Sequence, residues 1–155
     1  KALPLIERII DEATVAVMAE ACGVLRQLHA QTMDYAKQRK QFGQAIADFQ
    51  VLQHRMVDMF INVEQAVSMT YMATIKVDTD NAAERAKVVS AAKVQVNRAL
   101  KFVGENAIQI HGGMGMTDEL AISHYFKRGS MIQALFGSTD HHLRRYEALS
   151  LGKAA

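Results

Sequence analysis

Apolar residues recur every three or four positions over most of this chain, and alternation of period two is nearly absent. Ile6, Ile10, Ala13, Val17, Ala21, Val24 and Leu28 mark one stripe and predict a helix from about Pro4 to Lys40, ended near Gly43. A second stripe, Leu52, Met56, Met59, Val63, Ala66 and Ala73, predicts a helix from about Asp48 to Val77. The third is expected to open at Asn81, with Glu84 three residues on as a capping box. It repeats Val89, Ala92, Val96, Ala99 and Val103, and ends at Gly112-Gly113. A short helix of about Asp118 to Lys127 is predicted next, then a last one from about Ser130, broken at Gly137 and resumed through Leu151. Three helices of roughly 30 residues, each about 45 Å long and joined by short connections, predict an all-α, up-and-down four-helix bundle with a short extra helix.

The 155 residues suit one domain, 1–155, or one lobe of a larger protein. Half of them are hydrophobic, which supports a sizeable core and argues against disorder. The net charge of +2, without a basic tract, gives no reason to expect nucleic acid as a partner. One cysteine, Cys22, excludes an internal disulfide framework and fits a reducing compartment. No apolar run approaches the roughly 18 residues of a membrane span, and no signal-peptide pattern opens the chain. The expected location is cytoplasmic, of bacterial type, with a mitochondrial one left open. Because the chain starts at Lys1 and inside a helix pattern, a segment of a longer protein is expected.

Two interhelix stretches carry unusual chemistry. "RKQFGQAIADFQ" places Arg39, Gln41, Phe42, Phe49 and Gln50 where one helix gives way to the next. An arginine there can fork onto phosphate, aromatic faces can take a planar ring, and amides can read its edges. The plainer alternative is a loop whose aromatics close the bundle end. "QIHGGMG" removes the Cβ at Gly112, Gly113 and Gly115, which permits close backbone approach to a ligand or positive φ. Metal is not expected: His141 and His142 point about 100° apart on a helix, no His-x-x-x-His pair occurs, and Cys22 is remote. Ser138 and Thr139 lack a nucleophile-elbow context.

Taken together and in order, "YAKQRKQFGQAIADFQ" resembles the Arg-x-x-Phe-Gly signature of the acyl-CoA dehydrogenases. "QIHGGMG" resembles that family's Gln-x-x-Gly-Gly-x-Gly signature. The resemblance covers essentially the whole chain and implies a C-terminal helical domain without the N-terminal helical and middle β domains. It implies FAD at a subunit interface of a homo- or hetero-oligomer, a dimer or tetramer, and oxidation of an acyl-CoA thioester to the 2,3-enoyl-CoA. Electron-transfer flavoprotein is the acceptor it suggests. It also implies that Arg39 meets the pyrophosphate of a neighbouring subunit's FAD, with Gln41 and Phe42 near the adenosine end and Phe49 and Gln50 alongside. Gln109, Gly112 and Gly113 give the close backbone approach.

The family's last helix follows an aromatic-Glu-Gly-Thr turn whose glutamate removes the α-proton. "FGSTDHHLRR" aligns with that turn on Phe136 and Thr139 and puts Gly137 where the glutamate stands. Thr139 and His141 keep the positions that flank the cofactor, and Arg144 matches an arginine of the last helix. Some branches carry the base on the first long helix, which a gapless count places at Ala13. Glu12, beside it, is the weak candidate. The stretch resembles the small subunits of heteromeric dehydrogenases such as those for pimeloyl-CoA, in which a partner supplies the base. The isolated domain is expected to be inactive and to self-associate. The alternative is a non-catalytic, flavin-binding structural subunit.

Overall fold

The computed structural model describes residues 2–152. Lys1 and residues 153–155, the ends of the 1–155 span expected for the domain, lie outside the described residues. The fold is the expected all-α bundle. Helix α1 (Leu3–Gln38) leads into a two-residue hairpin of β1 (Lys40–Gln41) and β2 (Gln44–Ala45), then a 3-10 turn and α2 (Gln50–Lys76). Helix α3 (Ala82–His111) follows, then a 3-10 turn over Gly112–Met116, α4 (Ala121–Ala134) and α5 (Thr139–Ser150). Successive helices α1 to α4 run antiparallel with α1 and α3 packed together at the centre, α2 and α4 flank that pair, and α5 lies against α3.

The core is aliphatic and Met-rich, built where the stripes predict it: Val17, Ala21, Val24 and Leu28 from α1, Met56, Met59, Val63 and Ala66 from α2, and Val89, Ala92, Val96 and Ala99 from α3 are all buried. The start of the first stripe differs, because Ile6 and Ile10 remain 49% and 42% exposed. Asn81 caps α3 by accepting from the Glu84 amide at 3.1 Å, but the Glu84 carboxylate turns to Lys76 rather than back to the cap. Only half of the capping box forms.

Two boundaries depart from the sequence expectation. α1 stops at Arg39, whose extended backbone still donates to the Tyr35 carbonyl, and Gly43 turns the hairpin instead of ending the helix. The expected break between Lys127 and Ser130 is absent, so one helix, α4, replaces two pieces. Gly129 is its middle: a Cβ there would stand 3.2 Å from Leu100 Cδ2, so the glycine serves close packing of α4 on α3.

Candidate functional site

The hairpin and the Gly112 turn lie at the same end of the bundle, because α1 and α3 both finish there. Tyr35 joins them: its ring stacks on His111 at 4.3 Å between centroids, and its hydroxyl donates to the His111 carbonyl at 3.4 Å. At the hairpin tip Phe42 and Gly43 both have positive φ, 53° and 84°. Phe42 holds this left-handed conformation while 93% exposed, and its ring meets Phe49 edge-on at 6.2 Å. A non-glycine residue with positive φ is uncommon and costs strain that surrounding structure must hold. Here Ile46 anchors the hairpin, buried, with its amide donating to the Arg39 carbonyl at 2.8 Å.

Arg39 is exposed, and among the described residues its guanidinium makes no ion pair or hydrogen bond. Gln41 is exposed and donates to the Lys40 carbonyl at 2.6 Å. Gln50 opens α2, whose preceding residue, Phe49, offers no side-chain cap; its carbonyl takes the Leu52 and Gln53 amides at 2.9 and 3.1 Å. Across the bundle end, Gln109 is exposed. The three glycines beyond it divide the work. Gly112 needs its lack of a side chain for backbone reasons, at φ 59°. Gly115 needs it for packing, since a Cβ would lie 2.9 Å from the Ile108 carbonyl oxygen. Gly113 needs it for neither reason: no atom stands within 4 Å of its would-be Cβ. What remains is an open, side-chain-free stretch of backbone at the same end of the bundle as an exposed guanidinium and two aromatic rings.

The Gly137 turn is elsewhere. The stretch of α3 between His111 and Ser90, which contacts the turn through His142, is roughly 30 Å long, so the two regions are separate. Phe136 has φ 56° and Gly137 φ 117°, and Ser138 caps α5 by accepting from the His141 amide at 3.3 Å. Thr139 begins α5, and exposed His141 follows. With Ser138, Asp140, Arg144 and Glu7, His141 lines a groove of about 830 Å³ between α5 and the start of α1. Glu12 is not among the groove's lining residues; it pairs with Arg8 at 2.9 Å on the exposed face of α1.

Sequence reasoning missed what holds this turn. A polar seam runs down α3 beneath it. Buried Asp11 takes Arg145 bidentately, at 2.6 and 3.1 Å, and Arg85 at 3.3 Å. His142, fully buried, bonds Ser90 Oγ at 3.3 Å through Nδ1 and the Phe136 carbonyl at 3.0 Å through Nε2. A carbonyl only accepts, so Nε2 carries the proton and Nδ1 accepts from Ser90. Burial pushes this imidazole down to about 4, so it is neutral. Lys93, also fully buried, donates to Asn97 Oδ1 at 2.8 Å and to the Ile132 carbonyl at 2.7 Å, while Asn97 donates to the Gln133 carbonyl at 3.2 Å. These are last-turn carbonyls of α4, so Lys93 sits on the negative end of that helix, and burial lowers it to about 8. The available signal was a charge beside a stripe: Lys93 stands four residues after Val89 and three before Val96, where a solvated face would not fall.

Among the described residues no three His, Cys, Asp or Glu side chains are grouped to hold a metal ion, and no helix is long and apolar enough to cross a membrane.

The family description "Acyl-CoA dehydrogenase, C-terminal domain" matches residues 3–148. Acyl-CoA dehydrogenase IpdE2 of Mycolicibacterium smegmatis is 34% identical over 140 residues, 90% of this chain and 43% of its own length. Butyryl-CoA dehydrogenase from Megasphaera elsdenii superposes at a TM-score of 0.85 with 25% identity, over 94% of this chain and 38% of that one. The ChsE4-ChsE5 complex from Mycobacterium tuberculosis does so at 0.86 with 25% identity, over 94% and 39%. This chain therefore spans less than half of each relative's length.

Proposed function

Because the chain belongs to the acyl-CoA dehydrogenase family, through its C-terminal domain, we propose that it is the FAD-binding and oligomerisation domain of an enzyme that oxidises an acyl-CoA thioester to the 2,3-enoyl-CoA. The observation that carries this is the hairpin end: a strained, exposed Phe42 and, among the described residues, an unpaired Arg39, at the same bundle end as an exposed Gly113 with open space at its would-be Cβ. Such a surface suits a dinucleotide, with anionic phosphates and a flat ring system, and its residues fit that group.

Arg39 would hold the pyrophosphate, bidentately where oxygens permit. Phe42 and Gln41 would flank the adenosine end, with Phe49 and Gln50 beside them. Gln109, Gly112 and Gly113 would let backbone approach closely. Thr139 and His141 would flank the ring system at the separate turn. Two regions roughly 30 Å apart along α3 fit a cofactor shared across a subunit interface, one protomer's hairpin meeting the dinucleotide that another protomer's turn flanks. When bound, the flavin supplies the acceptor for the hydride leaving Cβ. Electron-transfer flavoprotein is the acceptor class the family suggests.

Removal of the α-proton requires a carboxylate that is ionised at neutral pH, and position 137 has none. The base comes from a partner subunit; the two-protein ChsE4-ChsE5 neighbour favours a heteromeric assembly. Within this chain Glu12 is the residue to test, by Glu12→Gln. The second reading, a structural flavin-binding subunit, draws support from the same bare glycine. Arg39→Gln in the assembled flavoprotein should weaken FAD retention by roughly ten- to a hundredfold, the worth of a charge-assisted hydrogen bond. Unchanged retention measured by fluorescence on dilution would remove Arg39 from the site.

A further inference from the structure

Gly137 meets two obstacles to a side chain beyond its positive φ. An ideal Cβ would lie 2.6 Å from His141 Cδ2 and 2.8 Å from His142 Nε2. The obstacles differ in kind. His141 is exposed, and a rotamer change removes its ring. His142 is 1% exposed and fixed at both nitrogens, to Ser90 and to the Phe136 carbonyl, so its ring has no alternative place. The bond to Phe136 also holds the peptide that joins the two positive-φ residues.

We propose that His142 is a positioning residue that closes the base position of this turn: it fixes the Phe136–Gly137 backbone and fills the volume a side chain at Gly137 would need. The meaning of position 137 rests on the function proposed above; the packing stands on this chain alone. It follows that a carboxylate cannot be restored at Gly137 while His142 remains, and that proton abstraction is assigned to a group outside the turn. The loss of the base is thereby built into two residues, not one.

The test uses the complete chain, purified without a second subunit type. Unfolding equilibria are measured for the parent, Gly137→Ala, His142→Asn and the double variant. Asn keeps an N–H donor in less volume, which preserves folding. The backbone penalty of Gly137→Ala is common to both backgrounds and cancels, so the cycle isolates the side-chain clash. Gly137→Ala should shift the unfolding constant at least roughly fivefold more with His142 than with Asn; equal shifts would overturn the proposal.

A second readout is one that packing alone would not move. The α-proton of a saturated acyl-CoA is followed in D₂O. A carboxylate that takes this proton leaves the enolate, exchanges with solvent and returns a deuteron, so no oxidant is consumed. Gly137→Glu alone should exchange no faster than the parent, while Gly137→Glu/His142→Asn should gain roughly a hundredfold, as general bases commonly give. Equal gain by the single variant would sink the role of His142. A coupled cycle with no exchange in any variant would uphold the packing and count instead against the reading of position 137 as a base position.

Discussion

At the residue scale the seam on α3 makes sharp demands. Asp11 is 1% exposed and pairs with two arginines, Arg85 and Arg145, of which Arg85 is itself 5% exposed. Removing one member of a buried ion pair leaves an uncompensated charge. Asp11→Asn should therefore destabilise by about 3–5 kcal/mol, read from a denaturant midpoint; a cost under about 1 kcal/mol would mean that the arginines find water instead. His142 sets a pH dependence. Its folded value, near 4, lies below the ordinary 6.5 because burial disfavours the cation. The unfolded chain thus binds the extra proton first as pH falls. The imidazole's contribution to stability is complete above about pH 6.5 and is lost progressively toward pH 4. His142→Asn should flatten the urea midpoint between pH 7 and 5; an unchanged slope would contradict the buried neutral ring.

At the scale of elements, the two halves of the glycine turn separate folding from binding. Gly112, at φ 59°, should tolerate alanine poorly, losing about 1 kcal/mol or more. Gly113 has open space where its Cβ would be, so Gly113→Ala should leave the midpoint within about 0.5 kcal/mol while weakening FAD retention in the assembled protein. Loss of stability in Gly113→Ala, or no loss of FAD, would count against the close-approach role. The helices were legible because a period of 3.6 is dictated by burial, and burial is long-range in sequence yet regular. The hairpin was not, since four strand residues, Lys40–Gln41 and Gln44–Ala45, offer no periodicity. The break expected between Lys127 and Ser130 does not form for a physical reason: Gly129 weakens the helix locally, but close packing of α4 against Leu100 and Val24 outweighs it. The two loops were recognisable as motifs, whereas Tyr35–His111 and the α3 seam depend on contacts between residues as many as 134 positions apart and were not.

At the scale of the molecule, the bundle presents two distinct surfaces, one at the hairpin end and one at the Gly137 turn, and neither is a complete active site. The first offers an exposed guanidinium and bare backbone. The second offers a groove and a turn whose backbone is fixed and which carries no carboxylate at position 137. On the proposed function, a shared flavin and a partner's carboxylate would complete both. Visible spectroscopy of the complete flavoprotein, with acyl-CoA thioesters added anaerobically, tests this most directly, first with the chain alone and then with its partner subunit. The flavin band should bleach at least roughly a hundredfold faster once the partner is present. Bleaching at the same rate by the lone chain would show that this chain carries its own base and would contradict the account.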